Sequence, residues 1–220
     1  MNVLLDLDGT LTDPREGILK CIRHALNRLG EPCPVDGELD RYIGPPLQTS
    51  FGVLFGINSP KVAKAIELYR ERFSSIGIFE NKVYPGIPVA LRGLKELGAT
   101  LFVATSKPTP FAERIIDHFG LASDIRAIFG SELDGTRSDK AELIAHVLAA
   151  HSLTREITYM VGDREHDIKG ARANGVVAIG ALWGYGSRKE LLDAGAAAVC
   201  EKPDQLCSIL SSKSALLTDT

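Results

Sequence analysis

From residue 87 onward the sequence alternates between short apolar runs and amphipathic stretches, and this alternation constrains the fold more than any other feature. The apolar runs are bounded by turn residues, which is typical of buried strands. The stretches between them repeat apolar residues at helical spacing, and several end at a glycine. A further apolar run at 3–7 predicts one more strand. Because alternating strands and helices form parallel sheets covered on both faces, the sequence predicts an α/β fold with a Rossmann-like three-layer core.

The expected strands of this core lie at 3–7, 100–105, 125–129, 157–161, 176–179 and 197–199. The expected helices lie at 87–97, 110–119, 138–150, 166–173, 188–194 and 203–210. Ser138 or Asp139 is expected to cap the helix that begins beside them. Residues 211–220 are polar and are expected to form a flexible tail.

Residues 14–82 have a different pattern, with apolar residues at helical spacing and no strong strand signal. Helices are predicted at 15–29, near 39–43, at 47–55 and from Pro60 onward. We therefore expect an α-helical bundle cap at 14–82, inserted into a core domain made of 1–13 and 83–220. The two chain crossings, near Pro14 and near 82–84, would act as hinges for this cap.

Composition and charge exclude several kinds of partner. The chain has 220 residues, 45% of them hydrophobic, and a formal net charge of −3 with no basic stripe. Neither a nucleic acid polymer nor an anionic membrane surface is therefore an expected partner. No apolar run is as long as a membrane span, and no basic leader precedes the first predicted strand. The four cysteines show neither a CxxC pair nor zinc-ligand spacing, so we expect a cytoplasmic protein with free thiols.

Two aspartates, one residue apart, follow the first predicted strand. Asp6 and Asp8 end the apolar run, and Gly9 supplies a turn. This end of a parallel strand is where open α/β sheets bind ligands. Two crowded carboxyl groups repel each other unless a proton or a cation accompanies them, and a hard cation such as Mg²⁺ prefers oxygen ligands. The less specific alternative is that both aspartates only cap a turn or the next helix.

Three further signals follow other predicted strands, so each can reach the same edge of the sheet. Thr105 and Ser106 can bind phosphate oxygens through a hydroxyl and backbone N–H groups, although such residues often only cap a helix. The ammonium of Lys140 can reach carboxylates and a phosphate, and an exposed surface lysine is the ordinary alternative. Asp163 and Asp167 are four residues apart and would share a helix face if the helix has begun at Asp163. Asp163 can give a metal a third oxygen ligand. The alternative is that both aspartates only mark the N-terminus of a helix, where acids are common.

The order of these signals resembles that of the haloacid dehalogenase superfamily of phosphotransferases. The order is Asp-x-Asp-Gly-Thr, then Thr/Ser, then Lys, then Gly-Asp-x-x-x-Asp, and the resemblance covers roughly residues 2–210. The helical block resembles that superfamily's small (C1-type) cap. Residues 42–47, 105–108 and 130–137 carry a closer likeness to phosphoglycolate phosphatase-type proteins and their 5′-nucleotidase-like neighbours.

The resemblance implies a mechanism that runs through a phosphorylated aspartate. Asp6 would attack the phosphorus of a phosphomonoester, and Asp8 would protonate the departing alkoxide and later deprotonate the incoming water. An acid two residues after the nucleophile favours loss of an alcohol over dehalogenation. Mg²⁺ would be held by the Asp6 side chain, the Asp8 backbone carbonyl and Asp163. Asp167 would support this site by holding metal-bound water or Lys140.

The same resemblance implies that Gly9, Thr105, the Ser106 backbone N–H and Lys140 hold the phosphoryl oxygens. Family members often carry Lys-Pro-x-Pro around the third motif, whereas residues 137–140 of this chain are Arg-Ser-Asp-Lys. Lys107 is therefore a competitor for the role of Lys140. We prefer Lys140 because it follows the third strand of the core, where the family places this residue.

The leading hypothesis is a Mg²⁺-dependent, phosphoglycolate phosphatase-like hydrolase of a small phosphorylated metabolite, with a 5′-nucleotidase as the nearest alternative. A sugar phosphomutase and a non-catalytic binding protein are further alternatives, and the latter is disfavoured because every expected catalytic position is filled. The cap would select the substrate by closing over the leaving group. Arg15, Arg23, Tyr42 and the 44–46 turn are candidates to face the site. A monomer or a homodimer is expected.

Overall fold

The computed structural model describes residues 1–218, with the backbone alone at 36 and 213–218. Its strands are β1 (Asn2–Leu5), β2 (Thr12–Asp13), β3 (Lys82–Val83), β4 (Thr100–Pro108), β5 (Ala127–Ser131), β6 (Thr158–Gly162), β7 (Val177–Ala181) and β8 (Ala198–Cys200). Its α-helices are α1 (Arg15–Leu29), α2 (Asp36–Leu39), α3 (Leu47–Phe55), α4 (Pro60–Arg72), α5 (Ile87–Glu96), α6 (Thr109–His118), α7 (Lys140–Ala150), α8 (Glu165–Ala173), α9 (Arg188–Asp193) and α10 (Leu206–Thr218).

Six of the strands form one parallel sheet in the order β5-β4-β1-β6-β7-β8. β1 lies at its centre, where Leu5 pairs with Val103 on one side and with Val161 on the other. The strand order changes direction at β1, and open α/β sheets bind their ligands at such a switch point. The carboxyl ends of β1, β4 and β6 therefore meet at the edge where the sequence predicts the site.

Alternate residues of the central strand face two separate cores. Val3 and Leu5 pack against α5, α6 and α10 on one face of the sheet. Leu4 packs against α7, α8 and α9 on the other face. All three side chains are fully buried, so the sheet is covered on both sides. The predicted α/β fold with three layers is confirmed.

The two strands that lead into the site differ from their predicted lengths. β1 ends at Leu5 rather than at residue 7, because the carbonyl of Leu7 accepts N–H bonds from Leu11 and Thr12 in a tight turn. β4 continues to Pro108, three residues beyond its predicted end, with an irregular register after Ala104. Both differences arise where the chain turns toward the site, so Asp6 and Asp8 project from a turn instead of from one strand face.

Helices α1–α4 occupy the segment between β2 and β3. The two crossings of this segment pair as a short antiparallel ribbon, with Thr12 beside Val83 and Asp13 beside Lys82. Strands of two residues carry no readable periodicity, which is why the sequence showed no strand here. Movement of the helical block as a cap about these crossings, and the exact division between cap and core, stay predictions.

The last helix extends beyond its predicted end at residue 210. α10 runs to Thr218, over most of the segment 211–220 expected to be a flexible tail. Residues 219–220 lie outside the described part, and the flexibility of the tail stays a prediction.

All four cysteines are unpaired, as predicted. No helix in the described part is long and apolar enough to cross a membrane.

Candidate active site

Asp6 follows the central strand and points into a buried cluster of charges. Its backbone N–H donates to the carbonyl of Val161 at 3.0 Å, which fixes the residue against β6. Its carboxylate Oδ1 accepts a hydrogen bond from Lys140 Nζ at 2.8 Å. The next α-helix begins after Pro14 and has no side-chain cap, so Asp6 does not serve as a helix cap.

Lys140 is buried rather than exposed to solvent. Asp139, one of the two expected caps, accepts N–H bonds from the first turn of α7 and makes Lys140 its first residue. The ammonium lies 2.8 Å from Asp6 Oδ1, 2.8 Å from the carbonyl of Ala104 and 2.7 Å from Asp167 Oδ1. Although burial disfavours the ammonium, the two carboxylates raise the pKa of Lys140 above its ordinary value. This lysine is therefore the counter-ion of the acidic cluster.

Three buried carboxylates meet beside this lysine. Asp6, Asp163 and Asp167 each offer an oxygen atom that lies within 4.8 Å of the others. Asp163 precedes α8, so the condition for a helix face shared with Asp167 is not met. Asp167 Oδ2 accepts the N–H of Arg164 at 3.1 Å, the ordinary task of an acid at a helix start. Its Oδ1 faces Lys140 as an ion pair and has no aligned hydrogen-bond donor among the described residues.

The Asp163 carboxylate is held by two hydrogen bonds. Oδ1 accepts the hydroxyl of Thr10 at 3.3 Å, and Oδ2 accepts the backbone N–H of Tyr185 at 2.8 Å. Complete burial, followed by the negative charges of Asp167 and Asp6, raises the pKa of Asp163 well above its usual range. An all-oxygen cluster with excess negative charge is the donor set that a hard divalent cation prefers.

We expect Asp163→Asn to stabilise the protein when no metal is bound. The amide oxygen of asparagine can accept the Tyr185 N–H, and its NH₂ can donate to the Thr10 hydroxyl, so both contacts survive without the charge. The free energy of unfolding should therefore rise by about 1 kcal/mol at pH 7. Because the pKa of Asp163 is raised in the folded state, the wild type loses stability as the pH rises from about 4, the pKa of an unfolded aspartate, through the raised value. The difference between the two proteins should therefore shrink toward pH 4.

Thermal unfolding in EDTA between pH 4 and pH 8 measures this difference. The control is Asp204→Asn, which changes an exposed aspartate near the end of the core. A less stable Asp163→Asn protein at pH 8 would show that the carboxylate is satisfied without a cation.

Two glycines make room for the Asp163 carboxylate. Gly9 has a φ of +85°, and a Cβ there would lie 2.3 Å from Asp163 Oδ2. A Cβ on Gly184 would lie 2.4 Å from the Asp163 Cβ and 2.3 Å from the carbonyl oxygen of Gly9. A glycine at position 9 thus leaves room for the Asp163 carboxylate, and contact of Gly9 with a phosphate stays a prediction.

Asp8 turns away from the acidic cluster and pairs with the other lysine of the site. Its Oδ2 lies 2.6 Å from Lys107 Nζ. Burial raises the pKa of Asp8, and Lys107 partly offsets this effect. The two lysines therefore pair with different aspartates, and the assignment of the phosphoryl-binding role to Lys140 stays a prediction. The Asp8 backbone carbonyl as a metal ligand stays a prediction.

Thr105 and Ser106 lie in the irregular end of β4 and cap no helix, since α6 follows Pro108 without a side-chain cap. The Thr105 hydroxyl accepts the N–H of Lys107 at 3.3 Å, and the Ser106 hydroxyl donates to the carbonyl of Ser138 at 3.0 Å. These bonds hold the segment beside Asp6. Binding of phosphoryl oxygens by the two residues stays a prediction.

A loop at 182–187, which sequence reasoning missed, closes the site from the side of β7. The indole N–H of Trp183 donates to the carbonyl of Thr10 at 2.9 Å. Tyr185 joins two parts of the molecule, because its backbone N–H bonds to Asp163 and its phenol donates to Asp13 at the chain crossing. The signal was the Gly-Tyr-Gly sequence at 184–186, three residues after the end of β7, at the edge already predicted to bind ligands.

A pocket between the helical block and the sheet opens onto Asp8 and Lys107. Tyr42 and the 44–46 turn line it, as expected. Arg15 and Arg23 are not among its lining residues, and Arg15 pairs with Asp40 at 2.7 Å instead. Sequence reasoning missed further lining residues: the aromatic ones have the spacing of a helical core, and nothing in the sequence shows that the polar ones face the sheet. These residues include Gln48, Tyr69, Arg70, Phe73 and Phe111.

Known proteins resemble this chain in both sequence and fold. A 5′-nucleotidase of Pseudomonas aeruginosa is 50% identical over 190 residues, 86% of either chain. The tyrosine-protein kinase PtkA of Mycobacterium tuberculosis is 41% identical over 192 residues, 87% of this chain but only 65% of that protein. A crystal structure described as a predicted phosphatase from Clostridium acetobutylicum is 41% identical and superposes with a TM-score of 0.92, covering 96% of this chain and 98% of that one.

The family model of haloacid dehalogenase-like hydrolases matches residues 3–181. This match spans every motif from Asp6 to Asp167, and the carboxylates and lysine of those motifs meet at one edge of the sheet. The chain therefore belongs to the haloacid dehalogenase-like hydrolase family.

Proposed function

We propose that this protein is a Mg²⁺-dependent phosphatase that hydrolyses a small phosphomonoester through an aspartyl-phosphate on Asp6. The observation that supports this most is the buried pair of Asp6 and Lys140 beside two further carboxylates, Asp163 and Asp167. One ammonium among three carboxylates leaves an excess of negative charge, which suits a divalent cation and then a phosphate. The names of the 5′-nucleotidase relative and of the phosphatase neighbour agree with this class of reaction.

The residues of the cluster fit Mg²⁺. All its donors are carboxylate oxygens that lie within 4.8 Å of one another, and burial together with the neighbouring carboxylates raises the pKa of Asp163 well above its usual range. Asp6 and Asp163 would hold the ion together with the Asp8 carbonyl, and Asp167 would orient its surroundings. When bound, Mg²⁺ offsets the repulsion between the Asp6 carboxylate and the phosphate dianion.

The chemical steps fall to the two aspartates of the first motif. Asp6 forms a bond to phosphorus while the bond to the ester oxygen breaks, and Asp8 gives that oxygen its proton. Water then attacks phosphorus as Asp8 takes a proton from it, and the bond to Asp6 breaks to release inorganic phosphate. Burial raises the pKa of Asp8, which suits a group that must carry a proton in the first step.

The remaining polar residues position the transferring group. The ammonium of Lys140 already contacts three protein oxygens, so it supplies fixed positive charge beside the phosphoryl group. The Thr105 hydroxyl and the Ser106 N–H are the groups we assign to the phosphoryl oxygens. Such pre-arranged charge and positioning account for most of the catalysis in phosphoryl transfer.

A 5′-nucleotide is the first substrate to test, because the relative with 50% identity is a 5′-nucleotidase. The pocket above Asp8 also has aromatic walls, which include Tyr69, Phe73 and Phe111 and suit a nucleoside leaving group. Phosphoglycolate is the second candidate, from the likeness at 42–47, 105–108 and 130–137 to phosphoglycolate phosphatase-type proteins. The other functional alternative, a phosphomutase, would need an aspartyl-phosphate that water attacks slowly.

The test is release of phosphate from 5′-nucleotides, phosphoglycolate and sugar phosphates, with Mg²⁺ and with EDTA. Release should require Mg²⁺ and fall by at least about 100-fold in Asp163→Asn. Mg²⁺ should also raise the melting temperature of the wild type and of the Asp204→Asn control, but not that of Asp163→Asn. Undiminished release in EDTA, or an equal thermal shift in all three proteins, would contradict a metal site at this cluster.

The 41% identity with PtkA makes protein tyrosine the second phosphoryl acceptor to test. Labelled ATP and a tyrosine peptide, added with and without a phosphomonoester, compare transfer to tyrosine with transfer to water. We expect phosphate release from the ester to exceed peptide labelling by far. Faster labelling of the peptide would assign the chain a kinase activity instead.

A further inference from the structure

The two oxygens of the Asp8 carboxylate have different surroundings. Oδ2 lies 2.6 Å from the Lys107 ammonium. Oδ1 is buried and has no hydrogen-bond partner among the described residues. A buried acceptor without a partner is costly, so a substrate or water atom is the natural partner of Oδ1. Oδ2 is thus the held oxygen, and Oδ1 is the one available for chemistry.

The irregular end of β4 aims Lys107 at Asp8. The register of β4 against β5 shifts between Ala104 and Pro108, and such irregularities re-aim side chains near active sites. Thr105 Oγ1 accepts the Lys107 N–H at 3.3 Å. The Lys107 carbonyl packs so closely on Gly130 that a Cβ there would lie 2.3 Å from it. The backbone of Lys107 is therefore fixed, and its side chain is buried.

The same ammonium also contacts the helical block. Lys107 Nζ lies 4.6 Å from the centroid of the Phe73 ring, which is a cation–π distance. Phe73 follows α4, and its ring packs on Tyr69 and on Phe111 with centroids 5.3 Å apart in both pairs. Asp8, Lys107 and Phe73 all line the pocket between the block and the sheet. The buried Lys107 ammonium thus contacts both Asp8 of the core domain and the Phe73 ring of the helical block.

We infer that Lys107 is a positioning residue for Asp8 and that Phe73 holds it in place only while the helical block covers the site. This inference rests on the proposed phosphatase mechanism. The ammonium stays on Oδ2 in both steps, while Oδ1 gives its proton to the leaving oxygen and later takes one from water. The acid and base of the reaction are then in place only when the pocket is closed, which limits the entry of bulk water.

The dependence of rate on the leaving group tests this role. Nitrophenolate leaves without a proton, whereas an alkoxide needs one. The value of kcat/KM reports the first irreversible step, which is loss of the leaving group. Lys107→Met should lower kcat/KM by about 10- to 100-fold for the best alkyl phosphate of the panel, but by less than about threefold for p-nitrophenyl phosphate. Lys107→Arg should recover part of the loss.

Two further variants separate the role of Asp8 from that of Phe73. Asp8→Asn should show the same contrast between the two esters, with a larger effect. Phe73→Leu keeps an apolar contact but removes the ring face, so it should show a smaller version of the contrast. Lys61→Met, an exposed lysine of α4, should leave both values unchanged. Thermal unfolding checks that each variant is folded.

Each contrary result has a distinct meaning. Equal losses on both esters in Lys107→Met would give the lysine a purely structural role, and no loss on either would remove it from the mechanism. Wild-type values in Phe73→Leu would overturn the dependence on the helical block. If Asp8→Asn showed no contrast between the esters, the acid role of Asp8 in the proposed function would fail instead.

Discussion

Lys140→Met should lower the free energy of unfolding by about 3–5 kcal/mol at pH 7, the largest effect we expect of any single substitution on stability. The ammonium lies between Asp6 and Asp167, and all three side chains are almost completely buried. Removing the cation leaves two buried carboxylates without a counter-ion, and the low dielectric of the site strengthens their repulsion. Denaturant unfolding in EDTA measures this difference. Turnover should also fall by at least about 100-fold.

Lys169→Met is the matched control for this substitution. Lys169 pairs with Glu165 on the exposed side of α8, and such surface pairs contribute about 0–1 kcal/mol. The Lys140→Met protein should therefore unfold at a much lower denaturant concentration than the Lys169→Met protein. Similar midpoints for both variants would mean that the acidic cluster is largely protonated in the folded state and needs no counter-ion.

Asp6→Asn should lower turnover by a factor of at least about 10⁴, the largest effect we expect on activity, because the amide oxygen is a poor nucleophile for phosphorus. The fold should survive, since asparagine has nearly the same shape as aspartate. Release of phosphate from the best ester of the panel, with circular dichroism as a check on folding, measures this loss.

Asp117→Asn, on the exposed face of α6, is the control and should keep full activity. A residual rate in Asp6→Asn within tenfold of the wild type would mean that water, rather than Asp6, attacks the phosphorus. The site would then be hydrolytic without a covalent intermediate.

Sequence reasoning placed the charged residues of the site because they follow strand ends. Asp6 and Asp163 come directly after apolar runs, and parallel strands bring such positions to one edge. Lys140 follows from its place at a helix start, since the Asp139 cap fixes where α7 begins. These positions depend on the local sequence and on the topology of the sheet, and the spacing of apolar residues along the chain predicts both.

The contacts of Asp8 could not be predicted in the same way. The pairing of Asp8 with Lys107 depends on a register shift in β4, and the contact of Lys107 with Phe73 depends on how the helical block lies over the sheet. The bond from Tyr185 to Asp13 joins residues that are 172 positions apart. Sequence periodicity carries no information on such irregular backbone or on contacts between separate parts of the chain.

In the helical block, the bounds of the helices could be predicted from the sequence, but the faces that they turn to the pocket could not. The bounds of α1 and α3 agree with the sequence, because clear apolar spacing is followed by glycine. The face of the block that meets the pocket was harder to assign. Arg15 was expected there, yet it pairs with Asp40 within the block, while Phe73 faces the pocket. An error of one or two residues in a helix rotates a side chain to another face.

A rapid-mixing experiment on Asp8→Asn with p-nitrophenyl phosphate and Mg²⁺ shows whether Asp6 carries the phosphoryl group during turnover. Loss of nitrophenolate needs no acid, but attack by water on the intermediate lacks its base. We predict a burst of about one nitrophenolate per protein, slow turnover afterwards, and a phosphoryl group on the peptide that contains Asp6. Linear release without a burst, and no phosphoryl group on that peptide, would contradict an aspartyl-phosphate mechanism.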